Sequence, residues 1–342
     1  VPSRAGDAAE AALDEARDAL MRALYQEDYG EPEAVLEVRQ LERPEAPGDG
    51  VLVRVHAASI HIGDCHVIRG VPKVMRPVFG LRRPRSPIPG TDIAGTIEAV
   101  GTSVTGLQPG EEVFGHCTGA FAEYAVAKPD GLAPRPDNLD LEQASAVGVS
   151  AHTALQALRD QLQVQPGHKV LITGASGGVG SFAVQIAKAL GAEVTAVCST
   201  RNLDLVRSIG ADHVIDYTAE DFTQGAERYD RILDNVAAHP MAQTRRVLTP
   251  DGKLLSNGAP VGGWVGGLGN VVRALLTSTV NKQQARPFVS AYTQADALAL
   301  KELVEAGKVT PLIDRSLPLD DGAEAVAHVA AGHAQGKTLI TM

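Results

Sequence analysis

The chain has 342 residues, 44% hydrophobic and 21% charged, the balance of a soluble globular protein long enough for two domains. Its 31 basic and 41 acidic residues give a net charge of -10, which opposes nucleic acid and anionic membrane surfaces as partners, and no apolar run approaches the roughly 20 residues that span a bilayer. The three cysteines are widely spaced with no Cys-x-x-Cys pair, which excludes a zinc lobe and implies a reducing, cytoplasmic setting.

Residues 1–20 are acidic and alanine-rich, the opposite of a basic, apolar signal peptide, and read as a surface helix or disordered lead. Met21 opens a stretch resembling a natural protein start, so these twenty residues are set apart as an N-terminal extension. From Val35 to Val126 short β-rich runs alternate with Pro-Gly and Gly-Asp turns: 35–38, 51–55, 93–97 and 121–126. They predict a small β-barrel. Residues 69–89 carry five prolines and five arginines with little periodicity and read as a long loop. Two readings of Arg82, Arg83 and Arg85 stand, a solvated surface or an attraction for an anionic substrate or cofactor phosphates.

After Pro136 the pattern changes. Residues 141–162 have helical period, and 169–173 form an apolar strand that runs into Gly174-Ala175-Ser176-Gly177-Gly178-Val179-Gly180 and then a helix over 181–190. Strands at 193–198, 213–217, 231–234 and 253–255 alternate with helices at 203–209 and 241–248, which predicts an α/β fold with a doubly wound parallel sheet. Residues 262–288 are glycine-rich and then apolar and match regular sheet poorly. Within them, the apolar 268–276 stretch suits a substrate lid, a dimer contact or buried packing. A helix over 295–306, an extended stretch over 309–319, a helix over 321–333 and a strand over 337–342 close the chain.

A lone glycine triplet is weak evidence, but this one follows an apolar strand and opens a helix. The turn needs a residue without Cβ, a pyrophosphate needs close backbone approach, and the last glycine packs helix on strand. The free N–H groups and dipole of that helix then face phosphate. The competing reading is a structural glycine turn. At the end of the second strand an NAD site usually has a carboxylate for the ribose 2'-hydroxyl, whereas this chain has Ser199 and Arg201. A hydroxyl and a guanidinium suit a 2'-phosphate, which favours NADPH over NADH. The alternative makes Arg201 a solvated residue and Asp204 the ribose acid.

Further motifs carry a family resemblance: Tyr29-Gly30-Glu31-Pro32, Val53-Arg54-Val55-His56-Ala57-Ala58-Ser59, Pro89-Gly90-Thr91-Asp92-Ile93-Ala94-Gly95, Pro109-Gly110-Glu111-Glu112-Val113-Phe114-Gly115, Gly119-Ala120-Phe121-Ala122-Glu123-Tyr124 and Gly210-Ala211-Asp212-His213-Val214-Ile215-Asp216-Tyr217. With the glycine turn, they make the chain from Met21 to Met342 resemble the zinc-independent, quinone oxidoreductase-like branch of the medium-chain dehydrogenase/reductases. The resemblance implies a GroES-like catalytic barrel over 21–147 that is rejoined by 293–342, with a Rossmann cofactor domain over 148–292 between them. It also implies a homodimer. It puts Thr153 near the nicotinamide, Ser199, Arg201 and Tyr217 near the adenosine 2'-phosphate, Asn235 near the inner ribose, and Lys337 close to the cofactor. Gly174, Ser176, Gly177, Gly178, Val179 and Gly180 form the phosphate turn. Structural alternatives stand beside these: a helix hydroxyl for Thr153, strand packing for Tyr217, a strand-end turn for Asn235, a solvated charge for Lys337.

Zinc-dependent relatives place their ligands where this chain has His61, Thr91 and Gly148. Threonine and glycine are poor zinc ligands, so no metal is expected. His61, Asp64, Cys65 and His66 lie within six residues, but nothing obvious supplies a further ligand. The zinc-free family commonly has Asn at the position of His61, near the nicotinamide and the substrate carbonyl. His61 is therefore the candidate proton donor or carbonyl polariser, with a plain loop histidine as the alternative. The active-site tyrosine of enoyl-thioester reductases is missing from this region. The expectation is a zinc-independent enzyme that uses NADPH to reduce quinones or other conjugated carbonyls. Enone reduction, a zinc alcohol dehydrogenase-like activity and a weakly active cofactor-binding protein are the alternatives.

Overall fold

The structure, a computed structural model, describes residues 19–257, 284–288 and 290–342. The expectations for residues 1–18 and for the 268–276 stretch lie outside the described residues. In chain order, β1 (Leu20–Tyr25) pairs antiparallel with β2 (Glu37–Glu42). Two corrections follow. Leu20 pairs with Glu42, and Ala19 accepts a hydrogen bond from the Arg43 N–H, so the end of the set-aside extension belongs to the fold. The run predicted as a strand at 35–38 opens on a single helical turn, Pro32–Val35, where a proline in the first turn loses no hydrogen bond.

Next come β3 (Val51–Ile60), α1 (Ile62–Arg69), β4 (Asp92–Val100), β5 (Glu112–His116), β6 (Tyr124–Ala127) and β7 (Leu132–Pro134). The helix predicted over 141–162 is broken. A first piece, Leu141–Ser145, is closed off before Gly148, and α2 (Val149–Leu155) then runs into a π-type turn over Gln156–Gln161. The break falls where a Cβ on Gly148 would lie 2.1 Å from Cγ of the buried Asp92, whose carboxylate accepts the Val149 N–H.

The parallel sheet follows as β8 (Lys169–Thr173), α3 (Gly178–Ala189), β9 (Glu193–Cys198), α4 (Leu203–Ser208), β10 (His213–Asp216), β11 (Tyr229–Asp234), β12 (Leu248–Ser256) and β13 (Gln284–Pro287). Residues 284–287 thus pair in register with β12, a correction to the expectation of poor sheet across 262–288. Helix α5 (Gln294–Glu305), β14 (Ile313–Pro318), α6 (Gly322–Ala330) and β15 (Lys337–Thr341) complete the chain.

Two main sheets result. One is all parallel with order β10-β9-β8-β11-β12-β13, so the strand order reverses between β8 and β11. The other has order β14-β15-β3-β4-β5-β7, with β6 on β3. Here β15 pairs antiparallel with β3, which closes the last strand onto the first half of the chain. Apolar alternation drives each sheet to bury a face, and one buried cluster joins them, from Ala94 and Phe114 of the barrel sheet through Leu155 and Leu158 to Ile172 and Phe182. Among the described residues no helix is long and apolar enough to cross a membrane.

Candidate active site

The glycine turn lies at the carboxyl end of β8, beside the reversal point where open α/β sheets form a crevice for ligands. Gly174 has φ +60, a left-handed conformation that disfavours side chains. A Cβ on Gly180 would meet the Gly174 carbonyl oxygen at 2.1 Å and Ala175 Cα at 2.7 Å, so this glycine lets α3 pack against the end of the strand. Gly177 is different. It has an ordinary extended backbone, and the nearest atom to an added Cβ is 3.4 Å away. The protein's own packing does not require glycine there, whereas a ligand approaching the backbone does. No side chain caps α3, leaving its first N–H groups for an anion. The turn therefore fits a pyrophosphate.

The far side of the turn is tied to the barrel. Ser176 accepts from Asn202 Nδ2 at 2.7 Å, and its carbonyl from the Gly336 N–H at 2.8 Å, while Gln335 Nε2 donates to Asn202 Oδ1 at 2.6 Å. Next along, Lys337 is buried at 1% exposure, which excludes the solvated-charge reading. Its aliphatic stem lies 3.5 Å from where a Gly178 Cβ would stand, and its Nζ donates to the Ile60 carbonyl at 2.9 Å and to Ser150 Oγ at 3.2 Å. Asp92 Oδ2 is 3.8 Å from the ammonium and also accepts from Ser59 Oγ at 3.3 Å. Burial lowers the basicity of Lys337, with Asp92 working in the opposite direction.

Ile60 leads directly to His61, the N-cap of α1. His61 Nε2 is 2.9 Å from Thr91 Oγ1, and its backbone N–H donates to Asp64 Oδ2 at 2.9 Å. The ring packs over Gly63, where a Cβ would come within 2.6 Å of it. Asp64 is buried, and desolvation raises its carboxyl pKa, with the His61 charge opposing the shift. The stretch that carries His61, Asp64, Cys65 and His66, read as a loop, is thus a short helix with His61 at its N-cap. Cys65 faces the barrel core, and burial pushes its thiol up to about 12. Among the described residues no group of three or more His, Cys, Asp or Glu side chains is arranged to hold a metal ion.

Ser199 stands at the N-cap position of a short 3-10 turn after β9, and Arg201 Nη2 donates to the His333 carbonyl at 3.0 Å while the residue stays exposed. Tyr217 is 61% exposed, which rules out the strand-packing reading. Asn235 at the end of β11 donates from its side chain to the Thr173 carbonyl at 3.0 Å, so it bridges the two strands at the reversal point. Thr153 is buried and donates to the Val149 carbonyl at 2.7 Å, with Ser290 Oγ at 2.7 Å from the same hydroxyl.

Several site groups escaped sequence reasoning. Asp92 and Ser150 carried no local signal, because their partner lies near the chain end. Asp216, at the end of β10, accepts from Thr200 Oγ1 at 2.6 Å, Thr218 Oγ1 at 2.7 Å and the Thr218 N–H at 2.9 Å, so both of its oxygens are engaged within the protein. A stack of His116, Tyr292 and His152 packs with ring centroids 5.6 and 4.4 Å apart. Burial raises the Tyr292 phenol pKa and lowers that of His152. His116 Nδ1, His152 Nε2 and the Tyr292 hydroxyl are buried without hydrogen-bond partners among the described residues. The Thr293 backbone lies beside His152 short of hydrogen-bonding geometry.

A phosphate cradle at the reversal point of a parallel sheet, joined through a buried lysine to a polar pair in a barrel, defines a nicotinamide-dependent oxidoreductase. Residues 47–137 match the family model for an alcohol dehydrogenase GroES-like domain, and residues 209–340 match that for a zinc-binding dehydrogenase. The chain is 32% identical to a chloroplastic quinone-oxidoreductase homolog of Spinacia oleracea, over 94% of this chain and 98% of that one. It is 31% identical to the mitochondrial NAD(P)H oxidoreductase RTN4IP1 of Mus musculus, over 96% and 90%. The structure of a quinone oxidoreductase from Coxiella burnetii superposes with TM-score 0.83 at 26% identity, covering 94% of this chain and 99% of that one. The chain belongs to the zinc-independent, quinone oxidoreductase-like branch of the medium-chain dehydrogenase/reductases, enzymes that use a nicotinamide cofactor on small-molecule substrates.

Proposed function

We propose that this enzyme uses NADPH to reduce quinones, with other conjugated carbonyls as second substrates, and works without a metal. The observation that carries the reading is the continuous path from the open backbone at Gly177, through Lys337 against Gly178, to His61 and Thr91. Bound there, the cofactor would supply a hydride, and the protein's part is to position donor and acceptor in a dry crevice. Gly174, Ser176, Gly177, Gly178, Val179 and Gly180 would hold the pyrophosphate, with Asn235 toward the inner ribose and Thr153 toward the nicotinamide. Ser199, Arg201 and Tyr217 would bind the 2'-phosphate. One Arg201 nitrogen serves the His333 carbonyl, which leaves other donors of its fork for an anion.

His61, within 2.9 Å of Thr91 Oγ1, would polarise or protonate the oxygen on which charge develops. A quinone requires little such help, since its reduced anion is already stabilised. The working unit would be a homodimer in the cytoplasm, without nucleic acid as a partner, built as a catalytic barrel over 21–147 and 293–342 around a cofactor domain over 148–292. Steady-state reduction of 1,4-benzoquinone, a naphthoquinone and an enone panel tests the activity. His61→Gln is expected to lower kcat by about 10²-fold on enones, the size usual for a positioned acid, and by less on quinones, with the KM for NADPH unchanged. NADPH binding without turnover of any acceptor would sink the enzymatic reading in favour of a cofactor-binding protein.

A further inference from the structure

The chain between the two polar residues His61 and Thr91 has a charge unlike the rest of the molecule. From Cys65 to Thr91 there is no Asp or Glu, while Arg69, Lys73, Arg76, Arg82, Arg83 and Arg85 are all basic, in a protein of net charge -10. Among the described residues, seven arginines elsewhere in the fold pair with carboxylates. Among the described residues only Arg69 of these six does so, with Glu31. Arg76 stacks over the Tyr29 ring at 4.6 Å, and Arg85 Nη2 donates to the Pro77 carbonyl at 3.0 Å. Lys73, Arg82 and Arg83 are exposed.

Apolar side chains are interleaved with these cations. Val74, Met75, Val78 and Leu81 are 42, 38, 58 and 70% exposed, and Ile62 nearby is 49% exposed. These five are the majority of the nine large hydrophobics exposed on the described surface, so they form a concentration and not the usual scatter. The segment is also pinned. The Tyr29 hydroxyl donates to the Gly80 carbonyl at 2.7 Å, and the Arg85 N–H donates to the Phe79 carbonyl at 2.8 Å. Its apolar side chains therefore stay outward.

We propose that the surface formed by residues 73–85 docks on an anionic lipid membrane, with Val78 and Leu81 entering the acyl boundary and Lys73, Arg82, Arg83 and Arg85 meeting the headgroups. Cations alone would suit any polyanion; the interleaved aliphatic side chains select lipid. The negative net charge, which argued against such a surface, does not prevent it. Charges more than a Debye length of about 8 Å from the lipid are screened, so the local cluster decides. The acidic remainder of the chain instead orients the molecule, with this face toward the bilayer and the rest away from it. The segment joins His61 to Thr91, so docking would set the mouth of the site against the membrane, where lipophilic acceptors dissolve. The surface itself stands whichever acceptor is reduced.

Co-sedimentation of the full chain with phosphatidylcholine vesicles, with and without phosphatidylserine, tests this at low and high salt. The parent is expected to sediment only with phosphatidylserine present, and less at high salt. Arg82→Gln/Arg83→Gln should weaken partitioning about thirty-fold, since each cation near an anionic surface contributes about one unit of the kcal/mol scale. Val78→Ser/Leu81→Ser should weaken it about tenfold at either salt, from the apolar area no longer inserted. Circular dichroism and melting temperature check that both exposed-site variants fold. Equal sedimentation of the parent with both lipids, no sedimentation of the parent with either, or parent-level sedimentation by either variant overturns the proposal.

Discussion

Lys337 joins the glycine turn to the barrel through side-chain chemistry that a sequence motif could only hint at. The Lys337 amine is accommodated at 1% exposure because the Ile60 carbonyl, Ser150 Oγ and Asp92 surround it. Removing one member of such a buried set leaves the others desolvated and unpaired. Lys337→Met is therefore expected to lower unfolding stability by about 3 kcal/mol or more, measured by urea denaturation, with part of the loss recovered in Lys337→Met/Asp92→Asn. A loss below about 1 kcal/mol, as for an exposed pair, would contradict the role given to this contact. Tyr217 and Asn235 entered as site candidates through the family's motifs, and each lies just past the end of a parallel strand. Asp92 did not enter as one, since its meaning depends on a lysine brought to it by the final strand.

The turn between β8 and α3 contains glycines with different reasons for being glycine, and substitution separates them. Gly180→Ala drives a Cβ into the Gly174 carbonyl at 2.1 Å, so the fold should lose about 3 kcal/mol and cofactor affinity together. Gly177→Ala meets nothing closer than 3.4 Å and should leave urea stability within about 0.5 kcal/mol of the parent. Its NADPH affinity, by fluorescence titration, should nevertheless fall at least about tenfold, because the methyl occupies the space the pyrophosphate needs. Equal stability losses in the two variants would mean that Gly177 serves packing. Element boundaries were less legible than this turn. Helix α1 went unseen because His61, Gly63 and Asp64 are weak helix formers, and its N-terminus is held by a reciprocal His61 and Asp64 cap. The break before α2 depends on Asp92 occupying the space beside Gly148, which no local pattern displays.

At the scale of the whole molecule, the two sheets share a buried cluster and Lys337 links the glycine turn to the barrel, so a ligand that bridges them should stabilise both. At a hundred times its dissociation constant a cofactor adds about 2.7 kcal/mol to stability. Differential scanning fluorimetry is expected to register a rise in Tm of about 5 °C with NADPH and a smaller one with NADH at equal concentration. Arg201→Glu should erase the difference between the two. An equal response of the parent to both cofactors would remove the 2'-phosphate role of Ser199 and Arg201.

Period, turn chemistry and the need for residues without Cβ are local properties, so the amino-acid sequence alone determined the parallel sheet, the glycine turn, the barrel strands and the family's motifs. What only the tertiary structure decided is long-range. It buried Lys337 against Asp92, engaged both oxygens of Asp216, stacked Tyr292 between two histidines, and left Lys73, Val78, Leu81, Arg82 and Arg83 exposed. Burial and partnership are set by segments distant in the chain, and these set the cost or use of a charge. In one dimension Lys337 reads either as a cofactor neighbour implied by the resemblance or as a solvated charge; in three it is buried against Asp92.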